Sequence, residues 1–281
     1  MADLTLHSPA KLNLMLHITG RREDGYHQLQ TVFQFIDLSD RMDFEVMDKA
    51  EILRTRSQTP VKQSDDIIMR TARLLQSSFA VDCGIRISVE KHIPVGGGLG
   101  GGSSNAATCL LALNKLWDLG LSLKQLAETG LELGADVPVF IHGFAAWAEG
   151  IGEKMKPIHL PEPCYLVIYP NIMVPTAEIF NTEELTRNCD AITIRDFLDG
   201  VASNVCEPVV CRYYPPVGKA LDWLNQYAAA SMSGTGACVY AAFNSRKAAA
   251  TVKSRVPRDW QSFIARGMNR NPVHAQCGIL I

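Results

Sequence analysis

Apolar and polar residues alternate loosely along residues 4–18, which predicts an opening strand interrupted at Pro9. The polar run GRREDG, residues 20–25, reads as a turn. Residues 31–47 alternate again and predict strand, turn, strand. From Asp65 to Phe79 the apolar positions Ile67, Ile68, Ala72, Leu74, Leu75 and Phe79 recur at helical spacing. Ile85–Val89 predicts a short strand, and a glycine-rich run follows at once. Ser103–Leu119 is rich in Ala and Leu and predicts a helix, with Ser103 or Ser104 capping its start and Gly120 ending it. Ser122–Leu133 predicts a second helix, with Ser122 as N-cap and Gly134 closing it. Three prolines in KMKPIHLPEPC, residues 154–164, mark a domain junction, and Tyr165–Tyr169 starts a new apolar strand. Glu207–Tyr214 and Pro216–Tyr227 predict helices, and SMSGTGACVYAAF is strand-like beyond its glycines. Strands and helices mix without a βαβ rhythm, so the expected class is α+β. The expected division is an N-terminal domain, 1–157, and a C-terminal domain, 158–281.

Composition narrows the function classes. The 281 residues are 47% apolar, enough to fill real cores, and the formal net charge is −2. That balance gives no general pull toward nucleic acid or an anionic membrane, so neither is expected as a partner and an anionic ligand needs a local site. The start, MADLTLHSPAKLNLML, lacks a secretory pattern, and no run approaches ~20 apolar residues, so a cytoplasmic location is expected. Eight cysteines without a CxxC pair read as reduced, mostly buried thiols, and no metal site is expected from protein ligands. The sequence sets no oligomeric state.

Six of the seven residues Gly96–Gly102 are glycine. Only glycine tolerates positive φ at successive positions and lets backbone approach a bulky ligand. Successive N–H groups there form an anion cradle, and the helix that follows adds its positive end, so phosphate is the natural guest. The run ends GSS rather than GKS or GKT, which argues against a Walker A loop. Gly96, Gly98 and Gly101 satisfy GxGxxG, but no acidic residue stands at a strand end about 20 residues on, so the dinucleotide fingerprint is incomplete. VAIK, HRD and DFG are missing, which removes the protein kinases.

PVGGGLGGGSSNAA, Pro94–Ala107, resembles the second motif of the GHMP kinases, the family of galactokinase, homoserine kinase, mevalonate kinase and phosphomevalonate kinase. SPAKLNLML, 8–16, resembles the first motif, and MSGTGACVYA, 232–241, the third. GRREDGYHQLQTVFQFIDLSD and LGADVPVFIHG narrow the likeness to the branch that phosphorylates a cytidine diphosphate-linked polyol, and the likeness covers nearly the whole chain. The resemblance implies two α+β domains with the active site in the cleft between them, and ATP with Mg2+ as cofactors. It implies that Pro94, Val95, Gly96, Gly97, Gly98, Leu99, Gly100, Gly101, Gly102, Ser103 and Ser104 bind the nucleotide. Read alone, Asp136 is a turn aspartate and Lys11 a strand lysine facing solvent; by resemblance they are the catalytic base and its partner. Tyr26 and His27 match residues that recognise cytosine by stacking and hydrogen bonding, and Phe180 matches the aromatic on the other side of the base. Asn13 and Thr176 match polar positions near the substrate. At 66–67 the chain reads Asp-Ile where the family more often has Asn-Leu, which puts the adenine contact there in question. Two rivals stay open on sequence: another GHMP kinase, and a non-catalytic nucleotide-binding module on the same scaffold.

Overall fold

The computed structural model describes residues 2–23, 25, 27–55 and 66–279. Its frame is a long antiparallel hairpin of β1 (Leu4–Arg21) and β2 (His27–Met47). Register runs from Leu4 opposite Phe44, through Lys11 opposite Phe35, to Arg21 opposite His27. Bulges fall between Pro9 and Ala10, Asn13 and Met15, and Ile18 and Gly20. They bend the hairpin and re-aim its side chains. The expected turn inside 31–47 is absent, because β2 is one strand of 21 residues. The polar break there is Asp40, which is buried rather than turned out. Its carboxylate accepts from the backbone N–H groups of His92 (2.8 Å) and Ile93 (2.9 Å), from Asn105 Nδ2 (2.9 Å) and from Lys91.

The first half of β2 pairs with β5 (Ala146–Gly150), which pairs with β6 (Lys154–Pro157). Its second half pairs with β4 (Gly84–Glu90), which lies parallel to β3 (Ile52–Thr55). Four helices cover this sheet: α1 (Ile67–Ser78), α2 (Gly101–Leu116), α3 (Leu123–Leu133) and α4 (Val137–His142). In α2 every residue from Ser104 to Leu113 is buried, which is why its sequence is apolar all round rather than striped. The expected capping by Ser103 or Ser104 is corrected. The helix starts earlier, inside the glycine run, with Gly100 as N-cap in the left-handed region (φ 69°), and no side chain caps it. It also ends earlier, with Trp117 as C-cap. In α3 the Ser122 cap is present and forms a capping box with Gln125, an arrangement that contributes about 1 kcal/mol.

The second half builds on β7 (Cys164–Tyr169), β8 (Ala230–Met232), β9 (Val239–Phe243) and β10 (Gln261–Met268). Around these strands lie α5 (Thr176–Asn181), α6 (Ile194–Leu198), α7 (Glu207–Tyr213), α8 (Pro215–Asn225) and α9 (Arg246–Lys253). β10 joins the halves. It pairs with β7 over Gln261–Arg266 and then with β2, Gly267 opposite Ile36 and Met268 opposite Phe35. The last helix, α10 (Pro272–Cys277), returns to the first core with Val273 and Cys277. All eight cysteines are free, and burial pushes Cys277 up to about 11. Among the described residues no helix is long and apolar enough to cross a membrane.

Candidate active site

A cavity of about 590 Å3 opens between the hairpin, the glycine run and the segment around Gly234. The geometry starts at Lys11, on β1 beside the Pro9/Ala10 bulge. Its side chain is 3% exposed, so the ammonium has lost its water and needs protein acceptors. Three surround Nζ, matching its three N–H groups: Asn13 Oδ1, the Gly98 carbonyl at 3.0 Å and Asp136 Oδ2 at 3.3 Å. The Phe33 ring centroid lies 5.7 Å from Nζ. Asp136 precedes α4, which has Pro138 in its first turn, and its side chain caps nothing. It is 37% exposed, so one carboxylate edge meets Lys11 and the rest faces the cavity.

The glycine run is held from both sides. On one side the Lys11 N–H donates to the Leu99 carbonyl at 3.0 Å. On the other, Ser233 Oγ donates to the Gly98 carbonyl at 3.0 Å, and the Cys238 N–H donates to the Gly97 carbonyl at 3.0 Å. Gly98 has φ 74°, and a Cβ there would strike the carbonyl oxygens of Ser233 and Gly236. Its glycine is required by the opposite wall as well as by backbone conformation. Gly102 is different: it sits in the first turn of α2, lines the cavity, and a Cβ there would meet nothing within 4 Å.

Pro94, Val95, Gly96, Gly97, Gly98, Leu99, Gly100, Gly101, Gly102 and Ser103 all line the cavity. Ser104 does not. It is fully buried, its N–H serves the helix through the Gly100 carbonyl, and its hydroxyl donates to the Pro9 carbonyl at 2.5 Å beside Ser8 Oγ at 2.7 Å. The expected phosphate contact from Ser104 is therefore corrected to a tie between α2 and β1. Asn13 lines the cavity mainly as a support: its Oδ1 takes Lys11 and its Nδ2 donates to Thr31 Oγ1 at 2.8 Å. Thr176 Oγ1 lies 2.9 Å from Thr235 Oγ1, and both line the cavity. Phe180 lines it too and stacks on His27, with centroids 5.2 Å apart and planes 24° apart. Burial, and then the nearby Arg187 and Arg21 cations, hold the His27 imidazole below its ordinary pKa. Tyr26 lies outside the described residues.

Lys91, Arg54 and Thr235 also line the cavity and were not among the expected site residues. Lys91 bonds Asp40 and, at 3.1 Å, Asn105 Oδ1. Asp66 caps α1 by accepting the Ile68 N–H at 2.9 Å, and its other oxygen takes Arg54. Arg54 Nε is buried without a hydrogen-bond partner. A lone basic residue at a strand end leaves no sequence signal when its partner is distant; Asp40 is 51 positions from Lys91. Thr235 stood within the third motif, in GTG, and its place between glycines was the available clue. Among the described residues no group of three or more His, Cys, Asp or Glu side chains is placed to hold a metal ion.

Residues 66–144 match the GHMP kinases N terminal domain, and residues 184–262 match the GHMP kinases C terminal domain. The 4-diphosphocytidyl-2-C-methyl-D-erythritol kinase of Nitrosococcus oceani is 52% identical over 93% of this chain and 94% of its own length. The protein of that name from Methylococcus capsulatus is 50% identical over 97% of this chain and 94% of its own. A crystal structure of 4-(cytidine 5'-diphospho)-2C-methyl-D-erythritol kinase superposes with a TM-score of 0.82 at 30% identity, covering 94% of this chain and 99% of that one. The Methanococcus jannaschii mevalonate kinase shares the fold, with a TM-score of 0.69 at 15% identity over 95% of this chain and 98% of that one. The chain belongs to the GHMP kinases, in their 4-diphosphocytidyl-2-C-methyl-D-erythritol kinase family.

Proposed function

We propose that the chain transfers the γ-phosphate of ATP to the 2-hydroxyl of 4-diphosphocytidyl-2-C-methyl-D-erythritol, a step of the non-mevalonate route to isoprenoid precursors. The observation that carries this reading is one cavity lined by the glycine run, the Lys11–Asp136 pair and Phe180, in a chain 52% identical to a kinase of that name. The backbone N–H groups of 96–103 and the start of α2 hold the phosphates. Asp136 takes the proton of the substrate hydroxyl as its oxygen attacks the γ-phosphorus; the new O–P bond forms and the bridging O–P bond to ADP breaks. Lys11 orients Asp136 and places positive charge beside the transferring group. His27, Phe180 and Tyr26 receive the cytosine, and Thr176 and Asn13 border the polyol. Residues 1–157 act as the ATP-binding unit, which also lends Asn13, Tyr26 and His27 to the substrate, and 158–281 act as the substrate unit. Mg2+ accompanies ATP, held by its phosphates and water. Among the described residues no group of three or more His, Cys, Asp or Glu side chains is placed to hold it, and the roles of these side chains do not run through it.

The test is ADP release from Mg-ATP with and without the cytidylylated substrate, repeated with Asp136→Asn and with CDP as competitor. Substrate-dependent ADP, a loss of about 10²-fold or more in kcat for Asp136→Asn, and competition by CDP are expected. No ADP would overturn the assignment. Turnover without CDP competition would move the chain to another GHMP substrate.

A further inference from the structure

Between α5 and α6 the chain runs back across the turn end of the hairpin. The Cys189 N–H donates to the Ile18 carbonyl at 2.9 Å, and Gln30 pairs with the Ile192 backbone in both directions, at 3.0 and 3.2 Å. Arg187 stands in this segment, half-buried, and each of its five N–H donors has a partner. Nη2 donates to the carbonyls of Phe180 (3.0 Å) and Thr182 (2.6 Å), and Nη1 to those of Glu183 (3.3 Å) and Leu185 (3.1 Å). These carbonyls end α5 and the turn after it, where a helix leaves acceptors without partners. The fifth donor, Nε–H, points across to His27 Nε2 at 3.1 Å.

That last bond decides the state of the imidazole. A guanidinium is always charged and only donates. His27 Nε2 must therefore present its lone pair, so the ring is neutral and carries its proton on Nδ1. Protonating Nε2 would set two N–H groups head to head and bring a second cation against the first. Both opposing cations, Arg187 and Arg21, act in the same direction as burial.

We propose that Arg187 is a positioning residue for the nucleobase end of the cavity. One guanidinium plane fixes the carbonyl of Phe180 and the ring of His27 relative to each other, and locks His27 in the Nδ1–H tautomer. The His27 ring, neutral and stacked on Phe180, thus backs the stacking face that Phe180 presents to the cavity and keeps its Nδ1 proton in a fixed position. Lysine cannot replace it, because a point charge with three donors does not span five acceptors. The role rests on the reading of His27 and Phe180 as the cytosine-recognising pair.

The test is nitrogen-15 NMR of the histidine rings in the full chain, with CDP and ATP as separate probes, alongside kinetics of Arg187→Lys and Arg187→Gln. In the wild type the His27 proton is expected on Nδ1, and CDP but not ATP should shift its signals. In the variants the ring should move toward the Nε2–H form and titrate at higher pH. KM for the cytidylylated substrate should rise about tenfold or more while kcat and KM for ATP stay within about threefold. An Nε2–H ring in the wild type overturns the proposal, as does a variant that keeps the wild-type tautomer or loses kcat and both KM values alike. An Nδ1–H ring that CDP leaves unmoved would instead overturn the nucleobase reading, and the positioning role with it, while the tautomer lock stands.

Discussion

Gly102 separates two reasons for a glycine that look identical in sequence. Gly96, Gly98 and Gly100 all carry positive φ, and a Cβ on any of them would crowd a neighbour. Gly102 has neither constraint, yet it stands in the first turn of α2 where alanine would make a better helix. What remains is access of a ligand to the helix start. Gly102→Ala is therefore expected to stabilise the fold by about 0.5–1 kcal/mol while raising KM for ATP about tenfold. Thermal unfolding and ATP-dependence of the rate measure the two effects, and an unchanged KM would return Gly102 to a purely structural account. At this scale the sequence was partly legible. Lys11 and Asp136 emerged because they sit in motifs whose order is informative. Ser104 was misread because a serine after glycines looks like a cap, and its real acceptor, the Pro9 carbonyl, is 95 positions away. Lys91 and Arg54 were invisible because their meaning lies in buried carboxylates on other elements.

Among the elements, β2 shows why polar breaks mislead. Asp40 interrupts an alternating run and imitates a turn, but four donors make its burial tolerable and the strand continues through it. Period-two alternation can report a strand; it cannot report that a buried network replaces a turn. At the start of α7, Glu207 is a smaller case with a measurable consequence. Its Oε2 accepts the Met232 N–H at 2.8 Å, while burial raises its pKa above the ordinary carboxylate value. The folded state then holds this proton more tightly than the unfolded chain does. Stability contributed by the group is full below the ordinary value near 4.5 and is lost as pH rises through the raised folded value. Glutamine keeps the acceptor and removes the charge. The stability of Glu207→Gln relative to wild type should therefore grow from acid to neutral pH, as read from urea midpoints at fixed steps of pH. A difference that is flat or shrinks with pH would contradict the assignment.

Over the whole molecule, the chain crosses more than once between the parts that flank the proline-rich stretch, and one buried cluster joins Ala10, Leu12 and Ile36 to Tyr165, Val167 and Tyr240. β10 starts beside β7 and finishes beside β2, and the residues after it serve the first core. Asn269 and Asn271 exchange backbone bonds with Ala145 and Gly143, and Asn271 Nδ2 donates to the Phe140 carbonyl at 2.7 Å. No local pattern announces such a return, because both β10 and α10 are short and ordinary in composition. A chain ending at Met268 should lose ATP binding and unfold its first half at lower temperature, since buried Val273, His274 and Cys277 would leave that core. Scanning calorimetry and ATP titration check this; intact ATP affinity in the shortened chain would show that the return is dispensable.

The two-sided clamp on the glycine run bears on how such kinases can be re-engineered. Ser233 reaches the Gly98 carbonyl from 135 positions away, and the carbonyls of Ser233 and Gly236 form the surface against which Gly98 is moulded. A loop transplanted by itself into a relative would arrive without its counterpart and meet a foreign contour. The portable module is a discontinuous pair, 94–104 with 233–238. Libraries that diversify both segments together should yield folded kinases where libraries of either alone yield casualties.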